Sequence, residues 1–368
     1  MSDPGRRMAG AAVILAAAIV ATLVSSCGSH SAAPTARTAT TTETPQWIDE
    51  PVTFQADGMT VYATYRHPVR RSPPFPAALL IAGSGPTDRN GNSSGGPPTI
   101  NTLKTLAMWL SDDGVASLRY DKLGSGSTGI GSFAADPASI GVAPFEDEAA
   151  AALSFLTAQP GVDRGKIAVF GHSEGALFAL LLATSEGRQT PEIHALGLLE
   201  PLSVRYLDVI TTQVTAQVHT AEQSGKLSHP SGAALLGDLN AAVAAVREGA
   251  PLPPNLPQSL SAVFTAGNAR FLAEADKYDP AQLAAKLKQG TPVLITCSNA
   301  DTQVTCGEVE HLASGLEKAS AATDFVHLTG VDHVLKEDPT GSPANYASPL
   351  PFSSQLQTAL AAFVAKNL

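Results

Sequence analysis

Gly171-His172-Ser173-Glu174-Gly175 places a serine hydroxyl between two glycines, each two residues away. A hydroxyl is a weak nucleophile, and acyl transfer by serine requires the backbone to lift it onto a sharp strand-to-helix turn, clear of neighbouring side chains. So tight a turn has no room for a Cβ two positions before or after the serine, a physical reason for Gly171 and Gly175. The flanks agree: residues 166–170 form a short apolar run with β-branched members, and residues 176–183 are rich in helix formers. In a chain with 31 glycines a G-x-S-x-G string carries little weight alone. Between a buried-strand pattern and a buried-helix pattern it marks Ser173 as the candidate nucleophile. The N–H of Glu174, at the positive end of the helix, is then a candidate donor to the oxyanion that forms on an attacked carbonyl.

A serine nucleophile also needs a base to take its proton and an acid to fix the tautomer of that base. Asp301 lies in a polar loop directly after the apolar run 291–297, and His333 lies directly after the next run, 324–328. Both fall where the carboxyl edge of a parallel sheet presents functional side chains. Glu200, at the end of the run 194–199, is a rival for the acid. Asp332 adjoins His333, but neighbouring side chains of an extended segment diverge, so it reads as a hydrogen-bonding loop residue. The second oxyanion donor is expected after the run 77–82, where Gly83 and Gly85 let the backbone of Ser84 approach a substrate.

Two other patterns are weaker. Residues 124–129 fit G-x-G-x-x-G after a strand, yet residues 130–137 open no helix, so a dinucleotide site lacks its context. Arg119, Asp121 and Lys122 are expected to tie that loop down through ion pairs. The histidines show no metal-ligand spacing and H-E-x-x-H is missing, so no metal or other cofactor is expected.

These residues require a scaffold of alternating strands and helices. Runs at 52–55 and 59–65 read as an opening hairpin around Ala56-Asp57-Gly58. Strand patterns at 77–82, 115–120, 166–170 and 194–199 alternate with helical ones at 100–113 and 144–159, which argues for a mostly parallel sheet covered on both faces. From 203 to 290 the alternation stops. Helical patterns at 204–220, 232–247, 258–275 and 280–288 read as a helical cap inserted into a core of residues 50–202 and 291–368. The closing elements are strands at 291–297 and 324–328 and helices at 307–319 and 352–365.

The 368 residues are 44% hydrophobic and 15% charged, a globular composition, and the net charge of −10 with no basic block beyond Arg70-Arg71 excludes a nucleic-acid partner. Arg6-Arg7 and an apolar run over residues 8–24, followed by Ser25-Ser26-Cys27, read as a signal segment over residues 1–26. Its end resembles a bacterial lipobox, which implies lipidation of Cys27 and attachment to the outer face of the cell membrane. An ordinary signal peptide or an uncleaved anchor is the alternative. Residues 27–49, rich in Ser, Thr, Ala and Pro, read as a disordered tether.

Taken together, these segments resemble the α/β-hydrolase superfamily, in particular bacterial esterases grouped with serine aminopeptidase-like and dienelactone-hydrolase-like proteins. The resemblance rests on Gly83-Ser84-Gly85-Pro86-Thr87-Asp88-Arg89-Asn90-Gly91-Asn92, Arg119-Tyr120-Asp121-Lys122, the Gly171–Gly175 turn, Asp279-Pro280 with Pro292-Val293-Leu294-Ile295 and Asp301-x-Gln303-Val304, and Asp332-His333-x-Leu335-Lys336. It spans roughly residues 50–368. It implies a Ser173–Asp301–His333 triad and hydrolysis of small-molecule or lipid esters of carboxylic acids. Leu123 departs from the pattern, since such proteins usually carry Arg there, and Cys297 and Cys306 around the acid loop are not part of it.

With Cys27 lipidated, Cys297 and Cys306 are the remaining thiols, and an extracytoplasmic compartment is oxidising, so a disulfide around Asp301 is expected; two buried thiols are the alternative. Two rival functions remain open. One is an aminopeptidase in which Glu174 recognises a free α-amine. The other is a non-catalytic tethered binding protein on the same scaffold.

Overall fold

The computed structural model describes residues 46–70, 74–93, 99–185 and 190–368. The signal segment, Cys27 and the tether up to residue 45 lie outside the described residues.

The first two strands, β1 (Trp47–Ala56) and β2 (Met59–Pro68), form an antiparallel hairpin in register from Trp47↔Pro68 to Ala56↔Met59. Asp57 and Gly58 both have positive φ, 43° and 76°, as the two-residue turn favoured between twisted strands demands. The arms are equally long, so β2 pairs β1 back to Trp47. Folded structure therefore begins before the expected tether boundary at residue 49.

The chain continues through β3 (Phe75–Ile81), α1 (Thr102–Asp112), β4 (Ala116–Tyr120), α2 (Ala143–Thr157), β5 (Val162–His172), α3 (Glu174–Thr184) and β6 (Ala195–Leu199). Residues 203–290 hold α4 (Tyr206–Gln223), α5 (His229–Glu248), α6 (Gln258–Ser261), α7 (Ala269–Ala275) and α8 (Pro280–Ala284), with no strand. Then follow β7 (Pro292–Ser298), α9 (Cys306–Lys318), β8 (Ala322–Leu328) and α10 (Ser354–Asn367). The eight strands make one sheet in the order β1-β2-β4-β3-β5-β6-β7-β8. Its β1–β2 and β2–β4 pairs are antiparallel, and every other pair is parallel.

The continuous apolar strands follow from burial of both faces. In β3, Ala77, Leu79 and Ile81 enter one core, shared with α2, α3 and α9, while Ala78 and Leu80 enter a second core with α1 and α10. That is the two-residue period of a strand read on both sides.

Two helical expectations shift. His229-Pro230 opens α5, three residues before the expected start at 232: Ser228 accepts the Ser231 N–H, and a proline in the first turn forfeits no helical hydrogen bond. The pattern at 258–275 is two helices, because Asn268 turns its side chain onto the Thr265 N–H and the Val263 carbonyl and interrupts the ladder. Asp276 then gathers the helical segment. Its buried carboxylate takes Arg205, Arg247 and the Leu207 N–H at 2.8–2.9 Å. No helix among the described residues is long and apolar enough to cross a membrane.

Candidate active site

Ser173 sits between β5 and α3 with φ 54° and ψ −121°, a strained conformation for a residue with a side chain. A Cβ on Gly171 would lie 2.2 Å from the Gly175 carbonyl oxygen, and one on Gly175 would lie 2.2 Å from that of Ile81. Both glycines are steric requirements of the turn. The strain is held by hydrogen bonds from Ser173 N–H to the Leu199 carbonyl and from Leu202 N–H to the Ser173 carbonyl, both 3.0 Å.

His333 Nε2 lies 3.0 Å from Ser173 Oγ, and its Nδ1 lies 2.7 Å from Asp301 Oδ2. Asp301 follows β7 and His333 follows β8, so two parallel neighbours deliver both side chains to the same sheet edge. The other Asp301 oxygen accepts the N–H groups of Gln303 and Val304 at 2.7 and 3.1 Å. Burial alone would raise the Asp301 pKa; the His333 imidazole and these donors outweigh it and hold the carboxyl below its ordinary value. An acceptor fixed in this way selects the Nδ1–H tautomer of His333 and leaves Nε2 free to take the serine proton.

The loop after β3 passes beside Ser173: a Cβ on Gly83 would stand 3.2 Å from the Ser173 Cβ. Neither the Ser84 N–H nor the Glu174 N–H donates to a protein acceptor among the described residues. Both are free to meet a carbonyl oxygen over Ser173.

Two further side chains shape the site. His172 donates through Nε2 to the His333 carbonyl, 2.7 Å away. Burial first, then the neighbouring His333, lowers its pKa to about 4. Glu200, the rival acid, is fully buried behind Asp301; it accepts the Ser298 N–H at 3.1 Å and lies 3.4 Å from Thr296 Oγ1. Burial, then the Asp301 charge and a hydrogen bond with Asp301, push its pKa well above the ordinary value. Of the two neighbouring carboxyls, Asp301 faces His333 and Glu200 is the one whose environment favours the protonated form.

The expected ion pairs around residues 124–129 are different. Asp121 does hold this loop, through the Ser127 N–H at 2.7 Å, but its cation is Arg89. Arg119 pairs with Asp49, and Lys122 pairs with Glu174 at 2.8 Å. Gly124 and its neighbours Leu123 and Ile130 line a cleft beside Glu174, together with Ile140, Phe145, Phe271 and Leu272. Leu123, the departure from the resemblance, contributes an apolar wall there.

Cys297 and Cys306 form a disulfide across the loop that carries Asp301. The register of β7 and β8 pairs Cys297 with His327, which brings that imidazole to the two sulfurs, a juxtaposition no sequence spacing reveals.

No family model matches the sequence, and no curated protein matches it. Solved structures do. Est1E from Butyrivibrio proteoclasticus with ferulic acid bound superposes with a TM-score of 0.53 at 18% identity, over 86% of this chain and 98% of its own. Pyrococcus furiosus esterase Pf2001 gives 0.53 at 14%, over 89% and 96%. Porphyromonas gingivalis dipeptidyl peptidase 4 gives 0.52 at 16%, over 87% of this chain but 35% of its own. At these identities the likeness is one of fold: the chain has the α/β-hydrolase fold expected from its sequence.

Proposed function

We propose that the protein is a serine hydrolase acting on carboxylic esters of small molecules or lipids. The observation that carries this reading is the relay Ser173 Oγ, His333, Asp301, joined at 3.0 and 2.7 Å beside two unengaged backbone donors. Ser173 Oγ attacks the ester carbonyl carbon while His333 Nε2 takes its proton. The carbonyl π electrons move to oxygen, which the Ser84 and Glu174 N–H groups receive. Collapse breaks the bond to the alcohol oxygen, and His333 returns the proton to that leaving group. Water then repeats the sequence on the acyl-enzyme and releases the acid and Ser173.

An ester is favoured over an aminoacyl substrate by the state of Glu174. Its two carboxylate oxygens are taken by Lys122 at 2.8 Å and by Tyr206 at 2.6 Å, so neither awaits an α-ammonium group. The adjoining cleft is walled mainly by apolar side chains, which suits an uncharged acyl or alcohol group. A binding protein would need no base aligned on the serine.

A fluorophosphonate probe is expected to label the wild type and not Ser173→Ala, and p-nitrophenyl butyrate is expected to be cleaved in preference to aminoacyl p-nitroanilides. An unlabelled wild type without esterase activity would sink this reading. Cys27 is proposed as a lipid anchor on sequence grounds alone, holding the enzyme at the outer face of a bacterial cell membrane. Cys27→Ala should then release the protein or block its processing; unchanged retention and mass would refute the anchor.

A further inference from the structure

We propose that Lys122 is a positioning residue that fixes the two oxyanion donors relative to each other. The inference rests on the esterase reading above.

Lys122 follows β4, is buried, and sends its ammonium across the site. Nζ donates to the Gly83 carbonyl oxygen and to Glu174 Oε1. The first contact has a geometric consequence. The Gly83 carbonyl and the Ser84 N–H belong to one planar trans peptide and point in opposite directions, so holding the oxygen aims the N–H. The second contact grips the residue whose own N–H is the other donor. One cation therefore connects the loop after β3 to the first turn of α3.

Charge adds to geometry. Glu174 places a buried carboxylate next to the position where an oxyanion develops, and alone it would oppose that charge. The Lys122 ammonium neutralises it. Tyr206, from α4, donates to the second Glu174 oxygen at 2.6 Å, so the helical segment contributes to the same anchorage. The aromatic face of Phe145 lies 5.9 Å from Nζ and closes the cation in.

The decisive variant is Lys122→Met/Glu174→Gln, which removes the link without stranding a buried charge. Its kcat for p-nitrophenyl butyrate and its affinity for a trifluoromethyl ketone, which forms a tetrahedral adduct with the serine, are each expected to fall by about 10²-fold, with KM within threefold of wild type. Tyr206→Phe, a milder change, should lower kcat by roughly three- to tenfold, again without moving KM. A folded double variant that keeps wild-type kcat, or one whose loss lies wholly in KM, overturns the proposal. Should the double variant not fold, an unchanged kcat in Tyr206→Phe overturns the Glu174 anchorage on which it depends. Failure of the wild type to react with fluorophosphonate instead removes the esterase reading itself, so the two failures are separable.

Discussion

The His172 imidazole donates to the main-chain oxygen of His333, and the two rings stand 5.0 Å apart. The residue before Ser173 thereby holds the loop that carries His333. Burial and the proximity of His333 keep His172 neutral, with its pKa near 4 against an ordinary 6.5. Removal of this contact should let His333 drift from Ser173, and displacements of that scale cost up to about 10²-fold in rate. His172→Ala is expected to lose roughly tenfold to a hundredfold in kcat with the fold intact by circular dichroism. A histidine whose folded pKa is depressed supports the fold above its unfolded pKa. That support is lost as pH falls from 6.5 toward 4, so the melting temperature of His172→Ala should fall less than that of wild type over this window.

Asp301 and Glu200 lie together, yet they have different tasks. Asp301 touches His333, which holds its carboxyl below the ordinary pKa, while burial and the Asp301 charge raise that of Glu200. Asp301→Asn should therefore lower kcat by about 10⁴, the scale seen when the orienting carboxylate of a serine triad is lost. Glu200→Gln keeps a neutral donor and acceptor in place and should cost less than about tenfold. Steady-state kinetics on a p-nitrophenyl ester distinguish them; equal losses would mean that the two carboxyls act as one unit.

The two acids illustrate what a sequence discloses. The convergence of Ser173, Asp301 and His333 is legible because each follows an apolar run in a parallel-sheet pattern, and strand ends deliver side chains to one edge whatever the distance in sequence. Glu200 also ends such a run, but orientation separates it from Asp301, and orientation depends on Thr296 and Ser298 of the neighbouring strand. Lys122 reads from the sequence as a charge belonging to the loop that follows it, because its partner Glu174 is 52 residues away. His172 stood inside the motif unread, since its acceptor is a backbone oxygen and backbone atoms leave no signature. The break at residues 265–268 was hidden by a helical pattern on both sides.

Glu148 sets an alkaline limit on stability. Its carboxyl on α2 is fully buried, one oxygen accepts the Leu123 N–H at 2.9 Å, and the other has no partner among the described residues. Burial raises its pKa from 4.5 to about 8. A raised acid pKa means that the folded state binds the proton more tightly, so the contribution to stability is complete below pH 4.5 and is lost as pH rises through 8. Glu148→Gln should match wild type near pH 5 and melt several degrees higher at pH 9. Parallel melting curves for the two proteins across pH 5–9 would contradict the assignment.

The disulfide makes the last prediction, because it closes the segment that carries Asp301. Cys297 is the penultimate residue of β7 and Cys306 opens α9, nine positions apart, with Asp301 between them. A ring of this size restricts the unfolded chain by roughly 2.5–3 kcal/mol in the chain-entropy treatment. The native state gains a further constraint: Thr305 and Glu308 form a reciprocal cap on α9, so the loop is pinned at the bridge and at the helix entrance. Asp301 must stay within hydrogen-bonding reach of His333 for the base to keep its tautomer. Reduction is therefore expected to lower the melting temperature and, independently, kcat, and the Cys297→Ser/Cys306→Ser variant should reproduce both losses. Mass spectrometry without reductant should find the linked peptide in protein made in an oxidising compartment. If the double variant retains full kcat while losing stability, the bridge only supports the fold; if it retains both, the bridge constrains neither the loop nor the fold.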